Sequence, residues 1–268
     1  MLQPANQKRT STLNQTCMKI ITLGTSHGDP TPERYNAATL YLLPGDGGNY
    51  LVDAGAPAAA SMIRLGLDPG SVRAVFITHM HEDHYGGLSG LIKHQIKYDH
   101  NCRIFLPEAE AIPVFQAFVG LAHRADSRQR ISYAAIPAEE GEFYSDGALS
   151  VRNVRTGHMQ NVGEPFPSFA FVLEAAGRRI VHTGDLRGDF ADFPWQECLP
   201  GTVCVCELTH YKLEPWIDKL AALPLRQLIF SHIGSFYDSP AGQALVSRLA
   251  DQAPFPCTIA ADGQEFNL

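Results

Sequence analysis

A chain of 268 residues with 45% apolar content can bury a sizeable core as one large domain, and its 21 basic against 28 acidic residues give a formal charge of -7, which argues against a general polyanion binder because phosphate affinity comes from Lys and Arg displacing counterions. Six cysteines scattered at Cys17, Cys102, Cys198, Cys204, Cys206 and Cys257 lack the density and spacing of a disulfide framework, which points to a reducing, cytoplasmic setting. No run of about 18 apolar residues is present to span a membrane.

Residues 1–17 are polar and have no hydrophobic centre, which excludes a secretory signal. They read as a disordered extension ahead of one folded domain over 18–268; a short targeting segment, or a start at Met18, fits the same facts. Met18–Leu23 is β-branched and apolar and predicts a first strand. Ala38–Leu43 and Tyr50–Val52, split by a Pro-Gly-Asp-Gly-Gly-Asn turn, predict a hairpin. Helical character follows at Ala58–Leu65, a buried strand at Val72–Thr78 and a helix at Leu88–Gln95. Further strands are expected at Arg103–Leu106, Ile131–Ile136, Leu149–Val154, Phe169–Leu173, Arg179–His182, Val203–Glu207 and Gln227–Ser231. Helices are expected at Glu108–His123, Glu214–Leu223 and Pro240–Ala250. Strands dominate both halves, which predicts an α+β fold of two packed sheets covered outside by helices, with strand ends along one rim. Cys204 and Cys206, two apart on a strand, share one face and read as core.

Residues 78–84 read Thr-His-Met-His-Glu-Asp-His at the end of the strand Val72–Thr78. Side chains alternate along a strand, so His79 and His81 can project to one side, and Asp83 and His84 can fold back beside them with backbone freedom from Gly86 and Gly87. Imidazole with carboxylate suits zinc, and also manganese or iron, whereas magnesium and calcium favour oxygen alone.

The run His79, His81, Asp83, His84 resembles the H-x-H-x-D-H motif of the metallo-β-lactamase fold superfamily. That resemblance implies an αββα four-layer sandwich with further ligands in a set order. Here His158, Asp185 and His232 stand in that order. By resemblance, His79, His81 and His158 hold one divalent metal, Asp83, His84 and His232 a second, and Asp185 bridges them. Asp53, before Gly55 at a strand end, is expected to orient a ligand histidine rather than to coordinate. The opening loop Leu23–Leu40 and the closing Ala260–Phe266 resemble the ribonuclease Z branch. In that branch a Glu and a His outside the metal shell lie between the bridging Asp and the last ligand, and Glu207 and His210 occupy comparable places. The spacing of these two is much shorter than in tRNA-processing members. Gly234 and Phe236 stand where those members have Ser and Arg, Tyr237 is kept, and no long Gly/Pro/Lys-rich insertion is present to clamp a tRNA body.

Two metals can share a bridging hydroxide near neutral pH. The expectation is therefore a di-metal phosphodiesterase acting on a small nucleotide or RNA-type phosphodiester, with Asp83, Glu207 and His210 as its catalytic groups. His210 would be the general acid for the leaving oxygen, oriented by Glu207. Extended nucleic-acid binding and membrane attachment are not expected, and related phosphodiesterases are commonly homodimers. The alternatives are a lactone, ester or thioester hydrolase on the same metals, favoured if His210 proves remote, and a non-hydrolytic di-iron redox or sensor protein. His27 is a candidate for the site mouth or an exposed loop residue, Tyr237 and Phe236 for an aromatic wall or, as is commoner near a strand end, for core, and His182 for simple packing. His94, His100 and His123 read as surface residues.

Overall fold

The computed structural model describes residues 17–123, 129–161 and 166–268. The N-terminal extension expected over 1–17 therefore lies, for residues 1–16, outside the described residues. Strands β1 (Lys19–Gly24), β2 (Ala38–Leu42), β3 (Asn49–Val52), β4 (Val72–Phe76), β5 (Cys102–Leu106) and β6 (Ile131–Ala135) follow one another across a first sheet. Strands β7 (Gly141–Ser145), β8 (Leu149–Arg155), β9 (Phe169–Ala175), β10 (Arg178–His182), β11 (Val203–Leu208), β12 (Gln227–Ile233) and β13 (Cys257–Ile259) make a second. The chain then returns, and β14 (Gln264–Asn267) pairs antiparallel with β1, completing seven strands in each sheet.

Alternation along the strands sorts their side chains into two faces. Tyr50, Val52, Ala74 and Phe76 point between the sheets, where they meet Val151, Phe171, Ile180, Val205 and Ile229 from the second sheet. Phe76 is fully buried there, its ring 5.3 Å from Phe105 and 5.1 Å from Tyr144; burying such a side chain stabilises by roughly 1.5–3 kcal/mol. The intervening Leu51 and Val75 point outward under helices α1 (Ala58–Arg64) and α3 (Leu88–Lys97), which contribute Met62, Leu88, Leu91 and Ile92. On the far side, Cys204, Cys206, Leu228 and Phe230 pack against Ile217 and Leu220, and against Val246 and Leu249 of a long C-terminal helix. These three apolar layers make the expected αββα sandwich, and Cys204 and Cys206 are core as read from the sequence.

Local differences from expectation have local causes. Strands β7 and β13 were not foreseen: β7 buries only Tyr144, and β13 is three half-buried residues long. The helix expected over Glu108–His123 is shorter, α4 (Ala111–Gly120), and no side chain caps its start at Glu110. A short α2 (Glu82–Tyr85) forms inside the histidine motif. The segment Glu214–Leu223 divides into a 3₁₀ turn over Glu214–Trp216 and α5 (Ile217–Ala221). Helix α6 (Pro240–Gln252) starts as its sequence demands, with Pro240 in the first turn and the Ser239 hydroxyl accepting from the Gly242 amide.

Candidate metal centre

The carboxyl ends of the central strands of both sheets meet at one rim. After β4, His79 and His81 project from the chain, and α2 presents Asp83 and His84. That turn is held against the loop after β3: the Ala54 amide donates to the His84 carbonyl at 2.6 Å, and the Gly87 amide donates to the Ala54 carbonyl at 2.8 Å. The approach leaves no room for a side chain at residue 55, since a Cβ on Gly55 would lie 2.2 Å from the Asp83 carbonyl oxygen. Asp53, buried and at φ 56°, accepts from the Thr78 amide at 2.8 Å and lies 2.8 Å from Nδ1 of His84.

The second sheet brings His158 from the loop after β8, Asp185 after β10 and His232 from β12. His232 sits at a register shift between β11 and β12: Glu207 pairs with Ser231 and Leu208 with Ile233, which leaves His232 unpaired at φ 51°. A bulge of this kind re-aims one side chain, here into the rim. A non-glycine residue at positive φ costs on the order of 1–3 kcal/mol, and such residues cluster at functional sites. Just beyond, the Ile233 amide donates to the Thr25 carbonyl at 2.7 Å, stitching the opening loop to the second sheet.

The seven motif residues form two adjoining groups. His79, His81, His158 and Asp185 bring one donor atom each within 4.8 Å of the others, as do Asp83, His84 and His232. Nε2 of His79 is 2.9 Å from Nδ1 of His81 and 3.6 Å from Oδ2 of Asp185. Nε2 of His84 is 3.3 Å from Oδ2 of Asp83 and 3.4 Å from Oδ2 of Asp185, so Asp185 faces both groups.

Electrostatics follow from burying so many titrating groups together. Burial holds His79 well below the usual histidine range, and therefore neutral. Burial also opposes the charge on Asp185, but the facing imidazoles of His232, His84 and His79 outweigh it and hold the carboxyl well below the usual range. For His84, burial favours the neutral ring, yet the carboxylates of Asp185 and Asp53 pull its pKa well above the usual value. A divalent cation fits such a set: neutral His79 and ionised Asp185 are ligands in the form a metal takes, and the positive charge that the carboxylates draw onto His84 is charge a cation would supply in place of that proton. The orphaned Nε2 of His84, buried and without a hydrogen-bond partner, fits it too.

Beside the cluster, the Glu207 carboxylate is buried and heavily engaged. Oε1 accepts from the Leu186 amide at 2.8 Å and lies 2.9 Å from Nδ1 of His210, while Oε2 accepts from the Thr209 and His210 amides at 2.8 and 3.0 Å. His210 is thereby turned toward the rim, its ring 4.3 Å from that of His158 and Nδ1 3.8 Å from Oδ2 of Asp185. Burial lowers its pKa, but the hydrogen bond and charge of Glu207, with Asp185, raise it on balance to about 9.

Other expectations resolve differently. Tyr237 is not part of a wall at the mouth: it is buried, and its hydroxyl accepts from the Leu213 amide at 3.0 Å and donates to the Tyr211 carbonyl at 3.2 Å. Phe236, 52% exposed, does lie at the surface. His182 packs in the interior with its Nδ1 2.7 Å from the Tyr41 hydroxyl, and burial lowers its pKa to about 4. His27 is half-buried in the opening loop, outside the donor groups found among the described residues. His94 is not simply a surface residue, since its Nε2 lies 3.0 Å from Oδ1 of Asp68. Arg34 is committed to structure, donating to Asp238, Thr25 and the Ala260 carbonyl. Sequence reasoning missed Thr78, whose hydroxyl meets Asp53, and Asp192, whose carboxylate takes the Gly157 amide.

With this geometry in view, comparison with known proteins is informative. The profile of the family described as Anti-Pycsar protein Apyc1 matches residues 18–204. The chain belongs to this family. The match to the Apyc1 family takes in His79, His81, Asp83, His84, His158 and Asp185 and stops before His210 and His232. The chain is also similar to ribonuclease Z from Streptomyces coelicolor, 28% identical over 167 residues, or 61% of this chain and 52% of that protein. The chain spans between about a quarter and a half of the length of the first curated relatives it matches. Among solved structures it resembles the metallo-β-lactamase fold protein YhfI from Bacillus subtilis, with TM-score 0.70 and 17% identity over 94% of this chain and 100% of that one. It also resembles human tRNase Z, short form, with TM-score 0.65 and 20% identity over 92% and 98% of the two chains. The fold of this Apyc1-family chain is thus the metallo-β-lactamase fold. Among its described residues no helix is long and apolar enough to cross a membrane.

Proposed function

We propose that the protein is a phosphodiesterase that works with two divalent cations, zinc before manganese or iron, on a small nucleotide or an RNA-type phosphodiester. Residues 18–268 would act as a single catalytic domain, in the cytoplasm, and as a homodimer. His79, His81 and His158 would hold one cation, Asp83, His84 and His232 the other, and Asp185 both. The chemistry such ions supply is Lewis acidity toward a phosphoryl oxygen and a nucleophile near neutral pH.

The observation that carries the reading is the Glu207–His210 pair. With Nδ1 of His210 donating to Glu207 at 2.9 Å, the transferable proton is on Nε2. The Glu207 carboxylate favours that proton, raising the pKa of His210 to about 9 when no cation is bound. His210 then protonates the leaving oxygen while Glu207 stabilises and orients the ring. A departing alkoxide or ribose oxygen needs such an acid. The lactone, ester or thioester reading was favoured by a remote His210, and a separation of 3.8 Å from Asp185 counts against it. A di-iron redox role has no support from this proton-donating pair.

Metal analysis of the purified protein, combined with turnover of bis(p-nitrophenyl) phosphate, a cyclic nucleotide, a lactone and a thioester, tests the reading. Diester turnover with two ions per chain is expected. Turnover of the lactone or thioester alone would overturn it.

A further inference from the structure

Asp192 belongs to none of the donor groups found among the described residues; it lies seven positions beyond Asp185, in a loop whose aspartates would all pass for turn residues. Its carboxylate nevertheless joins two loops that carry ligands from different strands. Oδ2 accepts from the Gly157 amide at 2.6 Å, and Oδ1 accepts from the Arg187 amide at 3.0 Å. Gly157 immediately precedes His158, and Arg187 lies two residues after Asp185. Between those two contacts, Nδ1 of His158 lies 3.3 Å from the Leu186 carbonyl, so Nδ1 is the donor and Nε2 is left facing His81 at 3.4 Å.

The turn behind Asp192 is anchored in the core. Phe190 is fully buried, with its ring 3.9 Å from Tyr211, 4.8 Å from Phe193 and 5.3 Å from Trp216. The turn it sits in is closed by the Phe190 amide donating to the Arg187 carbonyl at 2.9 Å and by Asp189 accepting from the Ala191 amide at 3.1 Å. On the His158 side, Thr156 pairs with Ser168 through amide and hydroxyl, and the next amide along, that of Gly157, goes to Asp192. A hydrogen bond from an amide to an ionised carboxylate is of the stronger, charge-assisted kind.

We propose that Asp192 is a positioning residue for His158: by fastening the Gly157 amide to the Asp185 loop, it presets the three-imidazole half of the centre. The inference rests on the two-metal reading above. Outer partners of metal ligands characteristically change metal affinity about 10- to 100-fold when removed, and Asp192 acts one peptide unit from the ligand rather than on its ring.

The test compares wild type with Asp192→Ala, Asp192→Asn and, as a control in the same turn, Asp189→Ala. Zinc is titrated into the metal-free proteins against a competing chelator, and its location is read from anomalous density in crystals equilibrated across a zinc series. Asp192→Ala is expected to weaken occupancy of the His79–His81–His158 half by about 10- to 100-fold, leaving the Asp83–His84–His232 half and the melting temperature of the metal-free protein close to wild type. Asp192→Asn, which keeps one acceptor oxygen, should recover part of the loss, and Asp189→Ala should bind as wild type does. Unchanged zinc binding by both Asp192 variants would overturn the inference. So would an equal loss at both halves accompanied by a fall in melting temperature, which would mark Asp192 as merely structural. A wild-type protein that takes up no ion at all would overturn the two-metal reading itself, and the inference with it.

Discussion

Nδ1 of His84 and Oδ2 of Asp53 lie 2.8 Å apart, both residues buried beneath the rim. This contact decides which nitrogen of His84 a cation can take, because with Nδ1 donating to the carboxylate it is Nε2 that gives up its proton to a metal. Asp53→Ala is therefore expected to lower zinc affinity by about 10- to 100-fold and to leave Thr78 without its acceptor. Isothermal titration of the metal-free variant measures the first effect, and wild-type affinity would contradict the orienting role.

His210→Ala should separate chemistry from metal binding. General acid catalysis contributes about 10²- to 10⁴-fold, and only where the leaving oxygen is a poor leaving group. Turnover of a nucleotide with a ribose leaving oxygen should fall by that order, while bis(p-nitrophenyl) phosphate, whose leaving group departs without a proton, loses far less. Both metals should remain. Equal losses on the two substrates would remove the acid from the scheme.

The pH dependence has a definite sign. The folded state raises the pKa of His210 to about 9, above the ordinary value of about 6.5. Protonated His210 is therefore favoured by folding; this contribution to stability is complete below about 6.5 and is lost as pH rises through 9. Cations held nearby oppose the elevation, so the metal-free protein should show it in full, as an imidazole titrating near 9 by NMR. In Glu207→Gln the midpoint should move down, and an unmoved midpoint would show that Glu207 is not its cause.

Removing metal should destabilise as well as inactivate. Anything that binds only the folded state at a free concentration 1,000 times its Kd adds about 4.1 kcal/mol. Melting curves with and without a chelator should thus differ by several degrees, and the difference should vanish in Asp185→Ala if that residue serves both groups. A chelator-independent melting curve for the wild type would speak against structural coupling.

Gly55→Ala should disturb the site without touching a ligand. Its Cβ would lie 2.2 Å from the Asp83 carbonyl oxygen and 2.7 Å from that of Ala37, so α2 must shift. Reduced zinc binding at the Asp83–His84–His232 half is the expected reading; a variant indistinguishable from wild type would mean the turn yields freely.

Much of this was legible in the sequence because the signal was contiguous. His79, His81, Asp83 and His84 stand within six positions where an apolar strand stops, and no bland reading gathers them so. His158, Asp185 and His232 are single residues in separate loops, and only the order implied by resemblance singled them out. The bulge that turns His232 inward leaves no mark in its neighbours, since Ser231 and Ile233 read as ordinary strand. Asp192 was invisible for a related reason: Asp185, Asp189 and Asp192 share one short stretch, and only the fold shows which oxygen meets which amide. Strands β7 and β13 escaped because half-exposed edges carry weak alternation. Tyr237 could be read either way, as a wall or as core, and the structure places it in the core.

Strand β14 lies against β1, with Asn267 opposite Lys19 and Gln264 opposite Thr22. Without β14, Ile20 and Ile21 would stand on an open edge whose amides and carbonyls invite pairing with another molecule. A chain lacking Gln264–Asn267 would thus be prone to self-association as well as weakened. During synthesis the same edge stays uncovered until β14 has been made and has folded back onto β1, about 240 residues later in the chain.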